Sequence, residues 1–383
     1  MKVLFIDNTG KMSAGAFHSM VALIDLLKIH GVESLVAVPN FADGIPFLEK
    51  KKIRYIQLKA CAYTWMQRRD ASLIERLKMP LKNIFVRLSA IYLAKIVREN
   101  NIDIIHENTS ACYIGYYVSK IVNVKHIWHI REFMEEDFNS SMWNKEKSLS
   151  YFNESDAVVA VSNAVYCKYK KLIAPKIFKM IYNGIDEKKF VGSRKPILSD
   201  SVVKILCVGR VSEAKGQKVL VELAAMLKQK GLSFKITFAG LNAGPYYEYL
   251  LDLAKKTHVD DVIDFIGQCN DMKSCYSQND IFCMCSRSEA FGRVTVEAMM
   301  SGCLVIGAKS GGTPELIQDG VTGYLFESQN PKSLYDKILI SLDDVAKTKK
   351  IACEGQFFAK KTFAASKNAE QVYGLYKEIL NRE

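Results

Sequence analysis

The sequence has no run approaching the ~18 unbroken apolar residues that a bilayer-spanning helix requires; its best candidates are interrupted within about ten. An integral helical membrane protein is therefore excluded. The start, Met1-Lys2-Val3-Leu4-Phe5-Ile6-Asp7, enters a strand-like segment directly, without the charged and apolar regions of a secretory leader, so a cytoplasmic location is expected. Ten cysteines are present, yet they form no CxxC pair and no disulfide-like cluster, which excludes a disulfide framework and points to reduced thiols. Cys283 and Cys285 alternate with Phe282 and Met284, as small buried hydrophobes of a strand do. No GxGxxG follows any candidate strand, which argues against a dinucleotide-dependent oxidoreductase. Internal repeats and low-complexity tracts are also missing. Although the pI is about 9.0, no recognised nucleic-acid module accompanies it, and no nucleic-acid partner is expected.

What is present is a chain of 383 residues, 49% hydrophobic and 25% charged, long enough for two domains of about 150 to 200 residues each. Strand-like and helix-like segments alternate throughout, the pattern of parallel sheets covered by helices on both faces. Residues 3–6, 35–38, 53–58, 102–106, 126–130 and 157–161 form a first series of strand candidates. Residues 203–208, 234–239, 262–266, 281–285 and 304–308 form a second. Between them, residues 186–201 hold Gly192, Pro196 and few large apolar side chains, and read as a linker. The expected domains are 1–190, 201–365 and a C-terminal helix in 366–383 with an apolar stripe of Val372, Leu375, Tyr376 and Ile379. Ligands of doubly wound sheets bind beyond the carboxyl ends of strands, so the loops after the strands are where function is sought.

The net charge of +12 is concentrated in the first half: residues 1–195 hold 30 Lys and Arg against 19 Asp and Glu, and residues 51–100 alone hold 12 against 3. From Trp65 to Arg69 the chain leads into Leu73, Ile74, Leu77, Leu81, Ile84, Phe85, Leu88, Ile91 and Tyr92, spaced mostly by three and four, with Arg76, Lys78, Lys82, Arg87 and Lys95 between and just beyond them. This is a basic amphipathic helix, or a pair broken at Pro80. Two readings stay open: a domain helix with a solvated basic face, or contact of residues 63–98 with an anionic membrane.

Three loops carry chemistry. After residues 281–285 comes Ser286-Arg287-Ser288-Glu289-Ala290-Phe291-Gly292-Arg293-Val294-Thr295-Val296-Glu297, in which Glu289 falls on a loop and Glu297 inside the next helix. Both carboxylates can face one ligand, Gly292 lets backbone approach it, and the free amides of the helix start favour a phosphate. After residues 203–208, Arg210 and Lys215 in Gly209-Arg210-Val211-Ser212-Glu213-Ala214-Lys215-Gly216 offer two cations for a diphosphate. In Ser310-Gly311-Gly312-Thr313-Pro314-Glu315, Thr313 is expected as N-cap with Pro314 at the first helical position.

With seven residues between Glu289 and Glu297, the Gly-Arg…Lys-Gly loop, Gly311-Gly312-Thr313-Pro314-Glu315, Asp319-Gly320-Val321-Thr322-Gly323-Tyr324-Leu325-Phe326, and Asn183-Gly184-Ile185-Asp186 with Phe190, the chain resembles the retaining, GT-B-fold glycosyltransferases of family 4. The resemblance covers nearly the whole chain, most strongly about 180 to 330. It implies two doubly wound Rossmann-like domains facing a central cleft, the first binding acceptor, the second binding a nucleotide diphosphate sugar, with the last helix crossing back to the first domain. It implies that Glu289 holds donor hydroxyls, Glu297 the ribose, and Arg210 and Lys215 the diphosphate, with the amides of Phe291 and Gly292 adding to that hold. Gly15, Gly267, Gln268, Ala290, Arg293 and Val294 complete the implied donor contacts. His129, in Trp128-His129-Ile130-Arg131-Glu132, is the implied catalytic histidine, acting beside Arg210, Lys215 and Glu289; His106, Arg131 and Glu132 are the implied cleft or acceptor residues. The first loop departs from the pattern, having Ala14-Gly15-Ala16 where relatives usually carry two glycines. No metal or other cofactor is implied, and the chain has no Asp-x-Asp triplet.

The expected activity is transfer of a hexose or N-acetylhexosamine, from a UDP-linked donor, to a glycan or lipid-linked glycan in surface-polysaccharide synthesis, in the cytoplasm or at the inner membrane face. A sugar-nucleotide epimerase or hydrolase of the same fold would turn over donor alone, and a non-catalytic sugar-binding protein would not cleave it.

Overall fold

The computed structural model describes residues 1–192, 194 and 196–381. The chain divides into two compact units, Met1–Gly184 with Ala365–Glu383, and Ile185–Ala364. In the first, seven parallel strands are ordered β3-β2-β1-β5-β6-β8-β9. Their ranges are β1 (Lys2–Ile6), β2 (Glu33–Val38), β3 (Arg54–Gln57), β5 (Ile104–Glu107), β6 (Lys125–Ile130), β8 (Ala157–Ala160) and β9 (Phe178–Met180). A separate antiparallel ribbon pairs β4 (Met66–Arg68) with β7 (Ser140–Met142). The second unit has six parallel strands ordered β12-β11-β10-β13-β14-β15: β10 (Val203–Val208), β11 (Phe234–Ala239), β12 (Ile263–Gly267), β13 (Ile281–Met284), β14 (Leu304–Ala308) and β15 (Tyr324–Phe326).

These strands are legible because parallel strands are covered on both faces and so lose the polar alternation of a half-exposed strand. Val3, Leu4, Phe5 and Ile6 are all fully buried, as are Ile281, Phe282 and Cys283. Both sheets reverse their winding at one point, between β1 and β5 in the first and between β10 and β13 in the second. Loops leaving two such neighbouring strands diverge to opposite faces and open a crevice at their carboxyl ends.

Four sequence expectations are corrected. The segment after Trp65 is strand, not the start of a helix: Trp65 is buried between Tyr113 and Trp128, at ring distances of 5.1 and 5.2 Å, and the ribbon follows directly. The basic helix is two helices, Leu73–Leu77 and Met79–Glu99, parted at Lys78 just before Pro80, which has no N–H to give and sits in the first turn of the second. The stretch expected as linker is fastened to the second unit. Arg194 donates to Ser301 O at 3.1 Å and Asn279 O at 2.7 Å, and the Leu198 amide donates to Asp280 Oδ1 at 2.8 Å. The units therefore divide at Gly184, ahead of residue 190, and the Arg194 guanidinium, which satisfies the carbonyls of Asn279 and Ser301, holds its own segment to the second unit. Finally, Gly312 rather than Thr313 caps the helix Thr313–Leu316, with the Thr313 hydroxyl buried and without a hydrogen bond.

The last helix, Ala365–Leu380, lies in the first unit, where Val372, Leu375, Tyr376 and Ile379 join Phe17, Met20, Ile24 and Leu27 in one core. Among the described residues no helix is long and apolar enough to cross a membrane.

Candidate functional site

The second unit gathers its chemistry where β10 and β13 run side by side. Beyond β10 the chain turns at Gly209 (φ +147°), passes the exposed Arg210, makes one tight turn through Glu213–Lys215 and turns again at Gly216 (φ +66°). A side chain at Gly216 would place its Cβ 2.1 Å from Cys285 O, so only glycine lets this loop lie against the end of β13. Gln217, buried, braces the loop from within: its Nε2 donates to Arg210 O at 3.0 Å, and its Oε1 accepts from Ser212 N at 3.3 Å. The Arg287 amide donates to Ala214 O at 2.9 Å, tying the loop to the one that follows β13. As a result the Lys215 ammonium forms an ion pair with Glu289 Oε1.

Glu289 is fixed from two further directions. Ser286, three residues earlier, donates its hydroxyl to Glu289 Oε1 at 2.7 Å. The Gly312 amide donates to Glu289 O at 2.7 Å, while a Cβ on Gly311 (φ +55°) would stand 2.5 Å from the same oxygen. The two glycines thus let a third loop close onto the backbone of the acidic one. Gly292 (φ +86°) then opens the helix Arg293–Met300, whose second turn carries Glu297. Glu297 is 8% exposed, and both its oxygens are held: Oε2 accepts from Tyr276 OH at 3.1 Å, and Oε1 from Arg293 at 3.3 Å. A buried carboxylate needs such donors, and Tyr276 and Arg293 satisfy and orient this one.

The structure therefore brings Lys215 and Glu289 into direct contact and sets Glu297 on the same loop and helix. Arg210 stands exposed at the carboxyl end of β10. Ala290 and Phe291 are buried, Phe291 edge-on to Phe363, and Arg293 and Val294 are half-buried. Gly267 ends β12, with its carbonyl accepting from the Gly240 amide at 2.7 Å, and Gln268 beside it is exposed. Tyr276 and Gln217 were not found from sequence; nothing local marks either one. Ser286 and Arg293 have a signal, since each lies three or four residues from the carboxylate it serves. Gly15 is exposed in the other unit, at the start of the helix Gly15–Leu27.

The remaining expected residues form a buried polar network in the first unit. His106 ends β5 and His129 lies in β6, both fully buried, and desolvation followed by the charge of Arg131 holds both well below the usual histidine range. Both are neutral at physiological pH. Arg131 donates to His129 Nδ1 at 3.2 Å, and arginine can only donate, so Nδ1 is the acceptor. His106 Nε2, 3.1 Å from the same atom, then carries its ring proton, and His106 Nδ1 accepts from Tyr376 OH at 2.6 Å. This leaves a buried His129 Nε2–H with no hydrogen-bond partner. Arg131 also donates to Asn108 O and Oδ1, at 3.1 and 3.0 Å, and to Asn183. Glu132 accepts from the Ser110 amide at 2.7 Å and hydroxyl at 2.6 Å, with burial pushing its pKa up. His129, expected to face the reacting sugar, exposes none of its surface, because β6 runs inside the sheet between β5 and β8.

Two parallel α/β units of Rossmann type, the second with a cation and carboxylate cluster at its switch point, define a glycosyltransferase of the GT-B fold class. The chain belongs to the family 4 glycosyltransferases: the model described as Glycosyltransferase Family 4 matches residues 15–189, and that described as Glycosyl transferases group 1 matches residues 193–356. It is 25% identical over 301 residues to N-acetyl-alpha-D-glucosaminyl L-malate synthase of Bacillus anthracis, covering 75% of this chain and 78% of that one. It is 26% identical over 259 residues to the lipopolysaccharide core biosynthesis mannosyltransferase LpsB of Rhizobium meliloti, covering 63% and 72%. The crystal structure of Anabaena HepE in complex with UDP and glucose superposes with a TM-score of 0.79 at 23% identity, covering 98% of this chain and 99% of HepE.

Proposed function

We propose that this protein is a retaining glycosyltransferase that moves a hexose or N-acetylhexosamine from a UDP-linked donor to a glycan acceptor carried on lipid, in surface-polysaccharide synthesis. The single observation that carries this is the meeting of Lys215 with Glu289 at the β10–β13 switch point, on the loop that leads into the helix of Glu297. Without a ligand the ammonium and the carboxylate satisfy each other. A bound sugar diphosphate offers each a new partner: phosphate oxygens for Lys215 and Arg210, sugar hydroxyls for Glu289, and ribose hydroxyls for Glu297.

In the proposed reaction the bond between the anomeric carbon and the diphosphate oxygen breaks, and the acceptor oxygen attacks from the face the diphosphate leaves. The acceptor proton passes to the departing diphosphate, and the two cations with the amides of Phe291 and Gly292 stabilise the charge building there. These side chains replace a metal ion in this reading, so a chelator leaves the rate unchanged. His129 and His106 act as positioning residues that orient Arg131 toward its ligands. UDP as the nucleotide of the donor is supported by the HepE complex with UDP and glucose. The proposed workplace is the cytoplasm, at the inner face of the membrane where lipid-linked acceptors are presented.

A thermal-shift screen of nucleotide sugars against wild type and Glu297→Ala tests the donor assignment. A donor at a hundredfold over its Kd stabilises the intact protein by about 2.7 kcal/mol and the variant far less. The proposal fails if no nucleotide sugar raises the wild-type melting temperature. Rapid release of free sugar or an epimer from donor alone would instead favour a hydrolase or epimerase.

A further inference from the structure

The helix Met79–Glu99 has two apolar faces. One, with Val86, Ala90, Leu93, Ala94 and Val97, is buried in the first unit. The other lies on the opposite side: Leu81, Ile84, Leu88 and Ile91 recur every three or four residues, which keeps them in one row, and they are 66, 54, 61 and 60% exposed. Leu73 and Leu77 of the preceding helix are exposed as well, at 77 and 75%. Single exposed leucines are ordinary on a protein surface, but a row of four along one helix, with two more on the helix just before it, is not.

The charge beside this row is mostly positive. Residues 63–98 contain eight Lys and Arg against two acidic residues. Both acids are already engaged, Asp70 with Arg68 at 2.7 Å and Glu75 in the capping box of Ser72. Arg87 lies over the Tyr117 ring and Arg98 donates to Ile121 O; Arg76, which donates to Arg69 O at 3.1 Å, and Lys78 are exposed, and Lys82 is partly so. The helix Met79–Glu99 has 21 residues, a length of about 31 Å available to lie along a surface.

We infer that this face docks on an anionic phospholipid surface, with the apolar row entering the boundary between headgroups and acyl chains and Arg76, Lys78 and Lys82 meeting the lipid phosphates. A second copy of the chain is the poorer occupant, because pairing two such faces brings like charges together as the apolar rows meet. The inference rests on exposure and charge in the first unit and stands whether or not a nucleotide sugar binds the second.

Co-sedimentation of the full chain with phosphatidylcholine vesicles, with and without phosphatidylglycerol, tests it. Wild type is expected to bind the anionic vesicles, and to release them as salt is raised. Ile84→Asp/Leu88→Asp and Lys78→Glu/Lys82→Glu should each weaken binding about tenfold or more while melting at the wild-type temperature, since the altered side chains are at the surface. Failure of wild type to bind anionic vesicles would overturn the inference. Equal binding by both double variants would do so too, as would a wild-type dimer in vesicle-free solution that Ile84→Asp/Leu88→Asp dissociates. None of these results bears on donor affinity, which the thermal-shift screen reads separately.

Discussion

At the scale of single residues, Glu289 and Glu297 are each placed by the groups that hold them. Glu297 is oriented by the buried phenol of Tyr276 and by Arg293, and Tyr276→Phe removes one donor without opening a cavity. A hydrogen bond to a charged group contributes roughly 1.5 to 3 kcal/mol, and only part of this transfers to ligand binding. Calorimetry should therefore show donor affinity about three- to tenfold weaker; an unchanged Kd would mean that Glu297 is placed without the phenol. In the proposed reaction Lys215→Ala bears on catalysis more than on binding, because there the charge it meets is greatest as the diphosphate leaves. The expected fall in kcat is about 100- to 1,000-fold, and a rate close to wild type would remove Lys215 from the mechanism. Glu289, Glu297 and Lys215 were legible in the sequence because each sits in a short glycine-bounded motif. Tyr276 and Gln217 were not, since their partners are chosen by how the surrounding loops pack.

Loops and helices set the next scale. Gly311 and Gly320 share the left-handed backbone, at φ +55° and +74°, but differ in surroundings. A Cβ at Gly311 would stand 2.5 Å from Glu289 O, whereas nothing lies within 4 Å of one at Gly320. Gly320→Ala should therefore cost only the backbone strain, about 1 kcal/mol, read as a small drop in melting temperature with activity retained. Gly311→Ala adds a clash that can be relieved only by moving the Glu289 loop, so both stability and activity should fall. Equal effects of the two substitutions would show that the glycine loop does not support the acidic one. In the helix pair Leu73–Leu77 and Met79–Glu99, the sequence showed amphipathic spacing, the break near Pro80 and an excess of basic charge. It did not show which of the two apolar sides is buried, because the pattern lists faces without saying which of them the fold covers.

For the whole molecule, burial sets a pH window on stability. Burial raises Glu107, whose Oε1 accepts from the Gly115 amide at 2.5 Å, to about 8, so folding favours its protonated form. That contribution is complete below the unfolded value near 4.5 and is lost as pH rises through about 8; at about 1.4 kcal/mol per unit it amounts to a few kcal/mol. His106 and His129 act in the other sense, being neutral when folded, so their contribution is present above the unfolded value near 6.5 and lost as pH falls below it. Melting temperature should peak between the two, and Glu107→Gln should flatten the alkaline side while leaving the acid side; a variant curve parallel to wild type would refute this. Deleting residues 365–383 removes Val372, Leu375, Tyr376 and Ile379 from the first unit's core and Tyr376 from His106. Calorimetry should then show an early transition for that unit and a later one near the original temperature for the second, and a single unshifted transition would contradict the division. The sequence alone determined the alternating α/β elements, the two parallel sheets and the motifs that carry Arg210, Lys215, Glu289 and Glu297, because apolar runs, glycines and caps act over a few residues. Only the tertiary structure decided that β10 lies beside β13 so that Lys215 meets Glu289, that the segment before residue 201 is fastened to the second unit, and that the row from Leu81 to Ile91 faces outward. Those outcomes depend on which distant segments cover one another, a free-energy balance over the whole fold that no local pattern contains.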